Sequence, residues 1–408
     1  PRGPNGYSMH ALPPAFPLAD RLVLLNRRDS TLCLLNPTAT QVYQLLSAGL
    51  SEPEAVAWLH AEYGVPAEIV SRDVSGLLLE WRRAGLLRSG DDGAAGEGAD
   101  NGELVPARRV STGCRRVYRV FEACLEVRYE TAALEEQTHP GLAHLEYRGP
   151  VQPAHELDVY RDAEGVVVGG DGIEVARTAD AANARSLVIG QLAMRSFPEC
   201  ELLGVLHAAA VADGPGCVVL PGPAGTGKST LVAALDAAGL IVLTDDCVPV
   251  AAGEGLVYPF PVALMLREGS WPLLDSRCPA LAATPTCLHG GAKVRYLPPT
   301  EPASPRAGAP PKRLVFPRYA PGSDTHVTDL AAGEALARLL AADVWLKRPL
   351  TPARASEFVR WVDALPALEL TFGALDEAVA VVLALARTEK LASRLGDVGA
   401  GCRLSDSA

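Results

Sequence analysis

Cys217-Val-Val-Leu-Pro-Gly-Pro-Ala-Gly-Thr-Gly-Lys-Ser-Thr230 is an apolar run, a glycine-rich turn and the opening of a helix. Gly222, Gly227, Lys228 and Ser229 fill the fixed positions of G-x-x-x-x-G-K-[ST], in the strand–loop–helix context which that motif's mechanism requires. Glycines let the backbone curl so that successive N–H groups, including those of Gly225 and Thr226, converge on one anion. The helix N-terminus then adds its positive dipole end. Lys228 would reach the outer phosphates, the Ser229 hydroxyl would hold Mg²⁺, and Thr230 opens the helix beside them. The stretch therefore predicts an α/β sheet around Val218–Leu220 and a site for a nucleoside triphosphate such as ATP.

Beyond the turn, Lys228–Ala238 reads as the helix, Gly239 as its C-cap and Leu240–Leu243 as the next strand, a β-α-β unit. Thr244-Asp245-Asp246 sits where that strand ends. Ligands of open α/β sheets lie beyond the carboxyl ends of strands, so both carboxylates should face the phosphates. One carboxylate can bind Mg²⁺ and the other can take a proton from an attacking hydroxyl. An Asp-Asp pair can also be a plain polar turn; the phosphate loop before it favours function. His207, in Leu206-His-Ala-Ala-Ala-Val211, reads by itself as a structural histidine in apolar surroundings.

The rest of the chain narrows the class. Its 408 residues suffice for two or three domains. A net charge of −11 argues against a nucleic-acid or anionic-membrane binder. Asp91, Asp92, Glu97, Asp100 and Glu103 account for five of those charges. They lie in a Gly/Ala-rich stretch, 89–104, that reads as a flexible linker. Nine scattered cysteines form no C-x-x-C pair, which points to reduced thiols in a cytoplasmic protein rather than to zinc. No apolar run reaches the roughly 20 residues of a membrane span. No signal peptide is visible, and Met9 is a candidate start.

Before the linker, 18–88 reads as a small α+β, winged-helix-like unit. Leu22–Leu25 and Thr31–Leu35 are strands joined by a turn at Asn26–Ser30. Thr38 is placed to cap a helix bearing Val42, Leu45 and Leu46. Ser51 and Glu54 form a capping box over a second helix that runs to Gly64, and a third, after Pro66, carries Val70, Val74, Leu77, Leu78 and Trp81. After the linker, 105–196 contains β-type runs (Arg116–Val120, Leu125–Tyr129, Glu156–Tyr160, Gly165–Val168) of a mostly antiparallel subdomain, then a helix at Ser186–Ser196. Residues 197–400 hold the α/β core. A proline- and glycine-rich stretch, 250–325, is expected to have no long helix. Helices are predicted at Asp329–Ala342, Ala353–Leu365 and Leu375–Leu395, with a strand at Leu368–Phe372.

His207, Gly222–Ser229 and Asp245-Asp246, in that order, resemble the HPr kinase/phosphorylase family, and Gly255–Leu266 and Arg313–Tyr319 look like its divergent HPr-kinase-related branch. The resemblance spans roughly 110–390 and implies an HPr-kinase-like P-loop fold that transfers the γ-phosphoryl of ATP to a Ser or Thr hydroxyl. It implies Asp246 as the base, assisted by His207, with Asp245 near Mg²⁺. The chain departs from the family at Ala224 and Thr230, where Ser and Glu are usual, and at Leu264–Gly269, which stands where the family signature would be. HPr as substrate and the reverse phosphorolysis are not implied. Arg267, Lys293 and Arg295 are candidates for stabilising transferring charge, against the plainer reading of solvated or structural cations.

Leu32–Thr40, Glu54–Tyr63 and Val74–Leu87 look like the PqqD family, which recognises leader peptides of ribosomally made, modified peptides. Winged helices also bind DNA, but 20–88 holds seven Arg and no Lys against eight Asp/Glu. Backbone phosphates need a cationic face, so a peptide is preferred. In PqqD-like domains the leader adds as a strand, here along Thr31, Leu32, Cys33, Leu34 and Leu35. Together the resemblances imply a kinase of a leader-bound precursor peptide. Kinase action on another protein or small molecule, and a nucleotide-dependent switch or chaperone without phosphotransfer, are the alternatives. Deletion of 1–88 should then weaken peptide capture more than ATP binding. A homo-oligomer is possible by analogy with the hexameric HPr kinases.

Overall fold

The computed structural model describes residues 12–87, 105–180, 183–197, 200–301, 308–347 and 350–388. Ala15–Leu18 (β1), Arg21–Asn26 (β2) and Thr31–Leu34 (β3) form an antiparallel sheet in the order β1-β2-β3. β1 is additional to the predicted strands, because Pro17 interrupts an already short run. Proline is tolerated there because β1 is an edge strand. Three helices follow: Pro37–Ser47 (α1), Glu52–Tyr63 (α2) and Ala67–Arg83 (α3). The cap of α1 is Asn36, not Thr38: its Oδ1 accepts the Ala39 N–H at 2.8 Å. Pro37, with its φ preset for a helix, takes the first helical position and leaves Thr38 inside the first turn. At α2 the Glu54 carboxylate accepts the Ser51 N–H at 2.7 Å and the Ser51 hydroxyl at 2.6 Å, and Gly64 ends the helix at φ 66°.

This small sheet is buried on both faces. Leu24 packs with Val42, Leu46, Leu59, Val74, Leu78 and Trp81 of the helices. Leu18, Val23 and Leu25 turn the other way. There they join Leu336, Phe358 and Val359, and Leu350 and Ala355, from the far end of the chain. The N-terminal unit and the C-terminal body thus share a core, each fully buried Val or Leu there contributing about 1.5–3 kcal/mol.

Cys114–Val120 (β4), Ala123–Tyr129 (β5), His155–Arg161 (β6), Val166–Gly170 (β7) and Ile173–Thr178 (β8) form a second sheet in sequential order. It is antiparallel except between β5 and β6, which Ala132–Thr138 (α4) helps to connect. Ala184–Arg195 (α5) lays Val188, Ile189 and Leu192 on it.

The body is a six-stranded sheet covered on both faces. Its strands are Ala208–Asp213 (β10), Gly216–Pro221 (β11), Ile241–Thr244 (β12), Pro311–Tyr319 (β17), His326–Leu330 (β18) and Ala367–Phe372 (β20), in the order β12-β10-β11-β17-β20-β18. Leu202–Leu206 (β9) and Val248–Ala251 (β13) join Val344–Leu346 (β19) in a small sheet. Leu264–Arg267 (β14), Thr286–His289 (β15) and Ala292–Leu297 (β16) make another, with the one-turn helices Trp271–Leu274 (α7) and Ala280–Ala283 (α8) beside it. Lys228–Ala237 (α6) and Leu375–Arg387 (α11) cover one face of the large sheet through Leu231, Val232, Val379 and Val382. Ala332–Ala341 (α9) and Pro352–Ala364 (α10) cover the other through Leu336, Phe358 and Val359. Every residue of β11 is buried, as expected of a central strand in a layered α/β domain.

The β-α-β unit is β11, α6 and β12; its two strands are both antiparallel to β10, which lies between them. One expectation needs correction. The helix expected from Asp329 starts at Ala332, because 326–330 pair with β20 as β18. The 250–325 stretch does lack a long helix among its described residues. The linker and the end of the predicted last helix lie outside the described residues.

Candidate active site

The loop between β11 and α6 owes its shape to Gly225 (φ 94°) and Gly227 (φ 89°), which occupy the left-handed region. A Cβ on Gly227 would also approach Tyr319 and Phe372 at 3.2 Å each, so the loop is held against the ends of β17 and β20. The Thr226 hydroxyl donates to the Pro223 carbonyl at 3.1 Å. Lys228 is buried and folded back over the loop: its Nζ donates to the Gly222 carbonyl at 3.2 Å and stands 3.8 Å from Asp246 Oδ1. Ser229 and Thr230 are half-buried in the first turn of α6.

At the end of β12 the Thr244 hydroxyl donates to the Cys247 carbonyl at 2.5 Å, tightening the turn that carries Asp245 and Asp246. Asp246 has φ 67°, a conformation rare outside Gly and most tolerated by Asn and Asp. Three basic side chains converge on it: Arg185 Nη1 at 2.6 Å, Lys228 Nζ at 3.8 Å and His207 Nε2 at 3.8 Å. Burial would raise its pKa, but the Arg185 guanidinium and then Lys228 and His207 hold it well below the usual carboxylate range. Asp245 behaves oppositely. Burial first, and then the charge of Asp246, push it up to about 7, and neither of its oxygens has a hydrogen-bond partner.

His207 lies between β9 and β10. Its N–H donates to the Asp343 carbonyl at 3.0 Å, and its ring lies parallel to Trp345, 6.5 Å between centroids. Burial, helped by Lys228, lowers its pKa to about 4, so the imidazole is neutral at pH 7.

Arg185 belongs to the site although no motif marks it. It stands on α5 and meets Asp246 from 61 residues away, its guanidinium 5.4 Å over the Tyr296 ring. The available signal was its spacing. Arg185, Val188, Ile189 and Leu192 share one helical face, and an arginine on an apolar face needs a partner. Two of the proposed cations are engaged elsewhere: Lys293 pairs with Glu268 at 3.0 Å, and Arg295 lies 4.1 Å over Trp271. Arg267 is exposed at the end of β14.

No group of three or more His, Cys, Asp or Glu that could hold a metal occurs among the described residues. An oxygen site for Mg²⁺ needs less protein, because this ion keeps several waters and takes further oxygens from phosphates. The Asp245 carboxylate fits that requirement: no donor reaches its oxygens within hydrogen-bond distance, and the Ser229 hydroxyl lies close enough to draw its pKa down.

In the N-terminal sheet Leu35 donates to the Leu22 carbonyl at 2.9 Å. Alternation then assigns the ladder bonds to the Leu24–Cys33 and Asn26–Thr31 pairs. Leu32 and Leu34 turn their N–H and C=O groups to the outer edge, where no strand pairs among the described residues. Thr31 is exposed and Cys33 half-buried. Leu35 is buried against the helices, so it belongs to the core rather than to the edge.

Residues 21–87 match the family model described as Coenzyme PQQ synthesis protein D (PqqD), so the N-terminal unit is PqqD-like. Among solved structures, a chain described as TbiB1 in complex with the TbiA(beta) leader peptide is 28% identical, covering 18% of this chain and 86% of that one, with a TM-score of 0.18. No curated protein matches this chain. The eight described cysteines are free, and no described helix is long and apolar enough to cross a membrane.

Proposed function

We propose that this chain is an ATP-dependent kinase that phosphorylates a Ser or Thr of a ribosomally made precursor peptide held through its leader. The observation that carries the kinase half is the meeting of Lys228, Arg185 and His207 on Asp246, with an unpartnered Asp245 beside Ser229. The PqqD-like unit and the outer edge of β3 support the peptide half. A leader would add as a strand against Leu32 and Leu34.

In the reaction the acceptor hydroxyl oxygen forms a bond to the γ-phosphorus while the bond to the β–γ bridging oxygen breaks, and ADP leaves with that electron pair. A loose transition state asks little of a base until late, which suits a carboxylate held at low pKa. Asp246 orients the hydroxyl and takes its proton, and neutral His207, 3.8 Å away, can receive it next. Lys228 and Arg185 offset charge around Asp246 and on the transferring group. Mg²⁺ held by Asp245 and Ser229 would supply further neutralisation of phosphate charge.

The test is to incubate the protein with Mg-ATP and the peptide encoded beside its gene, and to record the peptide's intact mass. The proposal expects a gain of one or more phosphoryl groups, abolished by Lys228→Ala. ATP consumed with the peptide unmodified would favour a nucleotide-dependent switch instead.

A further inference from the structure

A phosphate loop grips what all nucleoside triphosphates share, so the nucleoside needs a second contact. Resting on the reading of Gly222–Thr230 as a triphosphate site, we propose that Tyr319, backed by Phe372, is the stacking platform for the donor's nucleobase.

Direction comes from the sheet. Asp245 and Asp246 follow β12, which lies two strands to one side of β11, so the transferring end of the triphosphate belongs on that side. The nucleoside must then leave over the opposite side, across β17 and β20. Both run parallel to β11, and their carboxyl ends open at the same edge of the sheet.

Tyr319 and Phe372 stand at those ends as register partners, with ring centroids 5.7 Å apart. Phe372 is 2% exposed and serves as support, whereas Tyr319 is 46% exposed and offers a ring to the solvent. The pair is tied to the phosphate loop. The Tyr319 N–H donates to the Thr226 carbonyl at 3.1 Å, the Ala320 N–H to the Phe372 carbonyl at 2.9 Å, and both side chains abut Gly227. An exposed aromatic ring fixed to the flank of an anion loop has the chemistry of a base contact. It adds affinity for any base, because every base has a π-face.

The test measures binding of Mg-ATP and of Mg-tripolyphosphate, which lacks base and sugar, to the full chain and to Tyr319→Ala and Tyr319→Phe, without peptide. Tyr319→Ala is expected to weaken ATP about five- to 150-fold, the range for loss of one stacking ring, and to leave tripolyphosphate unchanged. Tyr319→Phe should retain ATP affinity. Unchanged ATP affinity in Tyr319→Ala overturns the proposal, and so does an equal loss for both ligands, which would mean that Tyr319 only props the loop. Failure of the unaltered chain to bind either ligand would remove the triphosphate reading itself.

Discussion

The proposed chemistry centres on Asp246, whose left-handed backbone sets it among Arg185, Lys228 and His207. We expect Asp246→Asn to retain Mg-ATP binding and to lose phosphoryl transfer by about 10²–10⁴-fold, measured as single-turnover rates. It should also lower stability, by up to about 3–5 kcal/mol, since it leaves the Arg185 guanidinium buried without a counter-charge. Adding Arg185→Met to that variant should raise Tm again without restoring activity. A single variant as stable as the parent would contradict the buried-pair account. The histidines set a pH dependence. Burial lowers the pKa values of His207 and His144 below their ordinary 6.5, His207 to about 4. The unfolded chain therefore takes these protons first, and stability present above pH 6.5 is lost as pH falls toward 4. Asp245, pushed up to about 7, takes its proton first in the folded chain and works in the opposite direction over the same range. The contribution of His144 is therefore read as the stability difference between the parent and His144→Gln at pH 7.5, 6 and 5, and the parent should lose ground to the variant as pH falls. Lys228 and Ser229 are legible as candidates because the phosphate-loop pattern fixes their spacing, Asp245 and Asp246 because they end the following strand, and His207 through family resemblance. Arg185 belongs to no motif; its partner comes from tertiary folding.

Among the elements, β2 holds most of what the sequence concealed. Leu22-Val-Leu-Leu25 is apolar without alternation, the mark of a strand covered on both faces, and both sides are filled. Leu25→Ala should cost about 2–5 kcal/mol, and it should destabilise the N-terminal unit and the body in one cooperative transition. Separate transitions in calorimetry would contradict the shared core. Leu79→Ala, on an exposed face of α3, should stay within about 0.5 kcal/mol, and Asn36→Ala at the cap of α1 should cost about 1 kcal/mol. In the N-terminal unit α2 is legible through its capping box and α1 and α3 through apolar spacing, whereas the cap of α1 is one the sequence reading places at the wrong residue. The short β1 and β19 are not legible, since three or four residues establish no period and Pro17 argues against a strand.

For the whole molecule, the shared core changes what a truncation means. Removing 1–88 would strip Leu18, Val23 and Leu25 from the body, so loss of both peptide and ATP binding would not refute a two-site arrangement. Edge variants in the full chain are the cleaner instrument. Leu34→Pro deletes an outward N–H of β3 while Cys33 and Leu35 keep the bonds to β2, and Leu34→Ala controls for the lost side chain. In the proposed function the PqqD-like edge delivers a tethered acceptor to Asp246. The deciding experiment compares kcat/KM for phosphorylation of the precursor with and without its leader, in the parent chain and in Leu34→Pro. Leader removal should lower kcat/KM about 10²–10⁴-fold, mainly through KM, with Leu34→Pro reproducing the loss on the full precursor and Leu34→Ala sparing most of it. Equal kcat/KM for leader-bearing and leaderless peptide would contradict it.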